Sequence, residues 1–171
     1  IERWVKPAGS LPGVISAHQV VETGEATYFY AARANEGVIH AFSVAADGVM
    51  TAVGENQVSA GADGVDIARL VAVDSGGARY LASLSLSGDC IRLMRIGGDG
   101  TLQLTGQVGM AQGIGIADPM AAAAVQVAGQ SFLIVAAAGS SSLSVLQVSE
   151  TGGLAVVDHV IDTLDTRLQG V

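Results

Sequence analysis

The chain has 171 residues, half of them hydrophobic and 14% charged, with 23 glycines, a mean hydropathy of +0.48 and a formal net charge of −8. That length holds one domain with a sizeable core, and the apolar content excludes intrinsic disorder. The acidic balance, with Lys6 as the only lysine, argues against a partner held through nucleic-acid phosphates. The longest unbroken apolar stretches, residues 120–125 and 132–138, fall well short of the roughly 20 residues of a membrane-spanning helix. A single cysteine, Cys90, excludes an internal disulfide and a zinc cluster, and its apolar neighbours predict a buried thiol. The chain opens at Ile1 without a charged and then apolar leader, as expected of a trimmed product or an interior piece.

In chain order, residues 1–10 align with the close of a repeat, and three gapless repeats at an offset of 52 follow. The first holds strand-like runs at 18–23, 27–32 and 38–44, then a fourth run after Asp47-Gly48. The second places its runs at 70–74, 79–84 and 90–96 before Asp99-Gly100, and the third at 122–127, 131–136 and 142–148 before Thr151-Gly152. The register holds residue by residue: Val21, Val73 and Val125; Tyr28, Tyr80 and Phe132; Ile39, Ile91 and Leu143; Gly48, Gly100 and Gly152. A short polar residue before glycine suits a hairpin reversal.

Four short strands per repeat with a tight turn at each reversal predict antiparallel blades, and so an all-β partial β-propeller with blades near 11–62, 63–114 and 115–166. The third run is apolar on both faces, as a sheet sandwiched between two neighbours must be. A β-solenoid is the rival, but its coils repeat over about 20 to 30 residues. A little over three repeats cannot close a ring that takes about 4 to 8 blades. The chain therefore reads as a piece of a larger propeller whose remaining blades are its partners, or as one of several chains completing a ring. Faces bearing Ile39, Ala41, Leu143 and Val145 are expected to be open and adhesive.

The strand-turn-strand wording at residues 42–49, 94–102 and 146–154 resembles the blades of lactonase-like seven-bladed propellers, the superfamily of 6-phosphogluconolactonase. Residues 132–171 further resemble the propeller region of RTX-type, hemolysin-like calcium-binding proteins secreted by alphaproteobacteria. That second resemblance implies type I secretion, an extracellular location, and calcium bound by G-G-x-G-x-D repeats outside this segment. Within it, Gly61-Ala-Asp-Gly and Gly97-Gly-Asp-Gly depart from that pattern and read as ordinary turns, so no cofactor or metal is expected here.

No G-x-S-x-G elbow, Walker loop, H-E-x-x-H or C-x-x-C occurs, so no catalytic residue is assigned. The glycines at 109, 113 and 115 read as an inter-blade linker. His18, His40 and His159 fall in different repeats with no recurring carboxylate, and His40, Arg92 and Ser144, equivalent under the shift, are expected on a solvated rim. Candidate ligand-binding residues are those entering each innermost strand: Asp66, Arg69 and Asp118. Asp66 and Asp118 are equivalent, and such carboxylates either bind a cation or a sugar hydroxyl or cap turns. Two functions follow: a non-enzymatic binding or spacer module presenting a surface to protein or glycan, or a lactone hydrolase of the 6-phosphogluconolactonase kind.

Overall fold

The computed structural model describes residues 13–57 and 66–163. The described strands form three four-stranded antiparallel meanders. Blade 1 comprises β1 (Ile15–Glu22), β2 (Thr27–Arg33), β3 (Val38–Val44) and β4 (Met50–Gln57). Blade 2 comprises β5 (Ile67–Ser75), β6 (Ala78–Ser85), β7 (Cys90–Ile96) and β8 (Leu102–Gly109). Blade 3 comprises β9 (Pro119–Val127), β10 (Gln130–Ala137), β11 (Ser142–Val148) and β12 (Leu154–Ile161). The fold is all-β and matches a partial β-propeller. Among the described residues the one helical element is a single 3-10 turn, Met110–Gln112, in the linker where the glycine cluster predicts irregular backbone.

The 52-residue register is kept in atomic detail. Gly48, Gly100 and Gly152 take φ of 84°, 81° and 82°, the left-handed region that favours glycine. Each donates its N–H three residues back, to the carbonyls of Ala45, Gly97 and Ser149 at 2.9, 3.0 and 2.9 Å. Asp47 and Asp99 accept the N–H two residues on, from Val49 and Thr101, both at 3.0 Å. These are the short-range bonds that make an Asp-Gly corner stop one strand and start the next.

A feature that residue type does not reveal also repeats. The pairing of third and fourth strands shifts at Ala41/Phe42, Leu93/Met94 and Val145/Leu146, leaving Val53, Thr105 and Val157 as bulged residues of the outermost strands. An extra residue there adds twist to the outer edge of each blade. At the central bulge, Thr105 Oγ1 donates to the Leu93 carbonyl at 3.1 Å.

Strand β1 packs on β5 and β5 on β9, so the first strand of every blade lies at the hub. Apolar alternation then fixes two faces per blade. The front face of blade 1, with Val21, Tyr28, Tyr30, Ile39 and Ala41, meets the back face of blade 2, with Leu70, Leu81, Met94 and Ile96, in one core. The front face of blade 2, with Val73, Tyr80, Ala82, Ile91 and Leu93, meets Leu133, Val135, Leu146 and Val148 of blade 3 in another.

Two sequence expectations need correcting. Ile39 and Ala41 are not open but buried, because blade 2 covers that face; no described strand packs on the back of blade 1, where Phe29 and Phe42 are half-buried while Ala31 and His40 are buried. Leu143 and Val145 are half-buried on the uncovered front of blade 3. Nor do His40, Arg92 and Ser144 form a solvated rim: His40 is 8% exposed, Ser144 is 1% exposed and Arg92 is half-buried. All three lie on back faces, Arg92 and Ser144 between blades, and alternation along one strand does not distinguish a wet face from a buried polar position.

Candidate functional site

Each blade leaves its second-to-third turn and its incoming linker at one end of the sheet, here the entry end, and its other two turns at the far end. Asp66, Arg69 and Asp118 gather at the entry end. Asp66, half-buried just before β5, accepts the backbone N–H of Asn35 on blade 1 through Oδ1 at 2.7 Å. Its own N–H donates to Ser87 Oγ at 3.2 Å, and its carbonyl accepts from Leu86. The carboxylate therefore ties one blade to the next, as the turn-capping alternative for such an Asp implies.

Asp118 is used differently. Its backbone takes φ of 50° and its N–H donates to Asp89 Oδ1 at 3.2 Å, again across a blade junction. A Cβ at Gly139 would stand 2.6 Å from Asp118 Oδ2, so glycine leaves that carboxylate in its present position. The two junctions thus carry the same kind of bond, carboxylate to backbone N–H, with the carboxylate supplied by opposite partners. Asn35 and Asp89, both at positive φ in second-to-third turns, are the participants that sequence reasoning missed; an Asn or Asp in a tight turn was the available signal.

Arg69 is exposed on the innermost strand β5, and no described carboxylate forms an ion pair with it. Its repeat equivalents are Ala17 and Ala121, so the hub carries one such cation among these three positions. Among the described residues no group of three His, Cys, Asp or Glu side chains is placed to hold a metal ion.

The histidines do not converge. His18 is exposed with its ring 6.0 Å from Phe29, His40 approaches Glu36 at 3.9 Å, and His159 shares a 2.8 Å hydrogen bond between Nδ1 and Ser144 Oγ. Burial pushes the Cys90 thiol pKa upward, the opposite of a reactive nucleophile. Two buried polar atoms without a described partner, Ser83 Oγ and Arg92 Nη1, belong to residues paired across the β6–β7 ladder.

At the far end, two grooves open at equivalent places. The first, about 400 Å³, lies between blades 1 and 2 and is lined by Asp74, Arg79, Arg95 and turn glycines. Arg79 grips Asp74 with two bonds, 2.6 and 3.0 Å, and the hydrogen bond to that carboxylate raises the guanidinium pKa. The second, about 520 Å³, lies between blades 2 and 3 and carries Gln126, Ser131 and Gln147 at those positions. Ser131 Oγ and Gln126 Nε2 both donate to the Asp74 carbonyl, which closes that seam with neutral groups.

These features define a propeller sector. Among solved structures it is similar to a periplasmic gluconolactonase of Pseudomonas aeruginosa, with a TM-score of 0.65 and 15% identity over 84% of this chain and 39% of that one. It is also similar to a Lactobacillus plantarum protein, with a TM-score of 0.60 and 22% identity over 81% and 40% of the two chains. The chain spans about two fifths of the length of these structures. No family model matches, and no curated protein does. At such identities the likeness establishes the propeller fold alone, and the RTX-type resemblance gains no support from these comparisons.

Proposed function

We propose that the chain is a non-enzymatic binding or spacer sector of a larger extracellular propeller protein, presenting its entry-end rim to a protein or glycan. The observation that carries this reading is the use of the entry-end carboxylates. Asp66 and Asp89 are engaged in holding blades together, and among the described residues no nucleophile, base and oxyanion donors converge beside Arg69. Arg69 is left as an accessible cation, suited to a carboxylate or a hydroxyl-rich ligand. Secretion and an association with calcium-binding repeats outside this segment rest on the RTX-like wording of residues 132–171.

The lactone hydrolase alternative draws on the resemblance of the blades and the gluconolactonase neighbour's fold. Acid release from gluconolactone and 6-phosphogluconolactone separates the two readings. The binding reading expects the spontaneous rate with the wild-type chain, together with retention of acidic oligosaccharides that Arg69→Ala loses. Turnover above the spontaneous rate that disappears in Arg69→Ala, with an unchanged circular dichroism spectrum, overturns it.

A further inference from the structure

The two far-end grooves occupy the same place in consecutive repeats and differ in charge, which makes each a control for the other. The side chains lining the first carry one net positive charge, from Arg79 and Arg95 against Asp74. Those lining the second carry one net negative charge, from Glu150, because Ser131 and Gln147 stand where the first groove has its arginines. Gly98 takes the place of Glu150, and a Cβ on it would meet nothing within 4 Å, so the position of a carboxylate side chain in one groove is open space in the other.

The polar groups of the first groove divide into a fixed pair and a free cation. Arg79 is half-buried and bonded to Asp74 through Nε and Nη2, so its remaining N–H groups belong to a guanidinium that is already oriented. The Asp74 carboxylate is exposed and keeps lone pairs for a further donor. Arg95, exposed near the end of β7, forms no ion pair with a described carboxylate. Glu22 lies close enough to act electrostatically on Arg79, which disfavours a doubly charged anion in this groove. An occupant that uses every one of these groups has one carboxylate and several hydroxyls, and a groove of about 400 Å³ suits a ligand as small as one sugar ring.

We propose that the groove between blades 1 and 2 binds a hexuronate unit, with its carboxylate on the Arg95 guanidinium and its ring hydroxyls on Asp74 and Arg79. A planar fork of donors matches a carboxylate, and a sugar hydroxyl both donates and accepts, as the Asp74–Arg79 pair requires. The ligand class rests on the glycan reading given above, but the site is a second one, at the opposite end of the blades from Arg69. An open groove with one charge-assisted contact holds a single unit at about millimolar strength, too weakly to retain an oligosaccharide without the entry-end rim.

Titration of the isotope-labelled chain with sodium glucuronate, followed at the backbone amides by NMR, tests this, with acetate and glucose at equal ionic strength as comparators. Saturable shifts are expected at Gly97 and Gly98, with Ser149 and Glu150 unmoved. Acetate, without hydroxyls, and glucose, without charge, each bind at least about tenfold more weakly than glucuronate. Arg95→Gln, at an exposed side chain, keeps the amide spectrum of a folded chain and weakens glucuronate by about tenfold or more, while Arg95→Lys, which keeps the charge and loses the fork, recovers only part of that loss. No saturable shift at Gly97 and Gly98, equal shifts in both grooves, acetate as strong as glucuronate, or indifference to Arg95→Gln would each overturn the proposal. Shifts around Arg69 alone would overturn it and leave the entry-end reading standing.

Discussion

The two ends of the molecule solve the same joining problem differently. At the far end, the Tyr28–Gly98 and Tyr80–Glu150 bonds and the rings over Gly100 and Gly152 recur in both junctions, the first adding a Tyr30–Gly100 bond. At the entry end the donor and acceptor sides exchange, with Asp66 reaching back to Asn35 in one junction and Asp89 reaching forward to Asp118 in the other. An aromatic ring against a glycine is a fit of shapes and tolerates few substitutes. A carboxylate bonded to an N–H at the surface can be supplied from either side, since water competes for both groups.

The sharpest way to break this contrast is to add one methyl group to the turn glycines. Gly100→Ala and Gly152→Ala each place a Cβ 2.5 Å from a tyrosine ring in addition to adopting positive φ, whereas Gly48→Ala incurs only the backbone strain. Urea unfolding is expected to show losses of about 3 kcal/mol for the first two and about 1 kcal/mol for Gly48→Ala. Equal losses at all three would show that the rings do not press on the glycines.

Tyr80→Phe keeps the ring and removes the hydroxyl, with an expected loss of about 1 kcal/mol in the same measurement. Asp66→Ala, at a more exposed bond, is expected to cost less, about 0.5 kcal/mol. If Asp66→Ala proves the more damaging, the entry end is the stronger joint and the contrast is reversed.

The smallest expected effect is in acid. Hydrogen bonds from the Thr101 hydroxyl and N–H lower the Asp99 carboxyl below its ordinary pKa. A depressed native pKa contributes stability that is present above the unfolded value near 4 and is lost as pH falls through the native value. Unfolding midpoints measured from pH 6 down to pH 2 should therefore fall slightly less steeply for Asp99→Asn than for wild type. An unchanged slope would mean that the Asp99 corner adds nothing to folding.

The repeat was legible in the sequence because packing against a neighbour constrains side-chain size and turn backbone at each recurrence, so Tyr28, Tyr80, Phe132 and the turn glycines align without gaps. What escaped was set by depth and direction. Which face of blade 1 is covered depends on the order of the blades around the hub, and the composition of β3 is apolar on both sides; hence Ile39 proved buried and Phe42 half-open. Arg92 and Ser144 read as surface residues because a seam that buries a polar group beside Ser83 or His159 has the same wording as a wet rim. The partners of Asp66 and Asp118 lie 31 and 29 residues away, in turns of the preceding blade, where spacing along one strand carries no signal.

The bulges at Val53, Thr105 and Val157 bear on how such a chain stays in solution. Among the described strands β4, β8 and β12 are the outermost of their sheets, and a straight, regular edge of that kind templates further strands into fibrils. An extra residue at the same point of all three outer strands breaks the spacing of that edge and turns part of it out of line. An incoming strand would have to carry a matching irregularity to bond along the full edge. Strand-by-strand growth at the periphery is thereby discouraged.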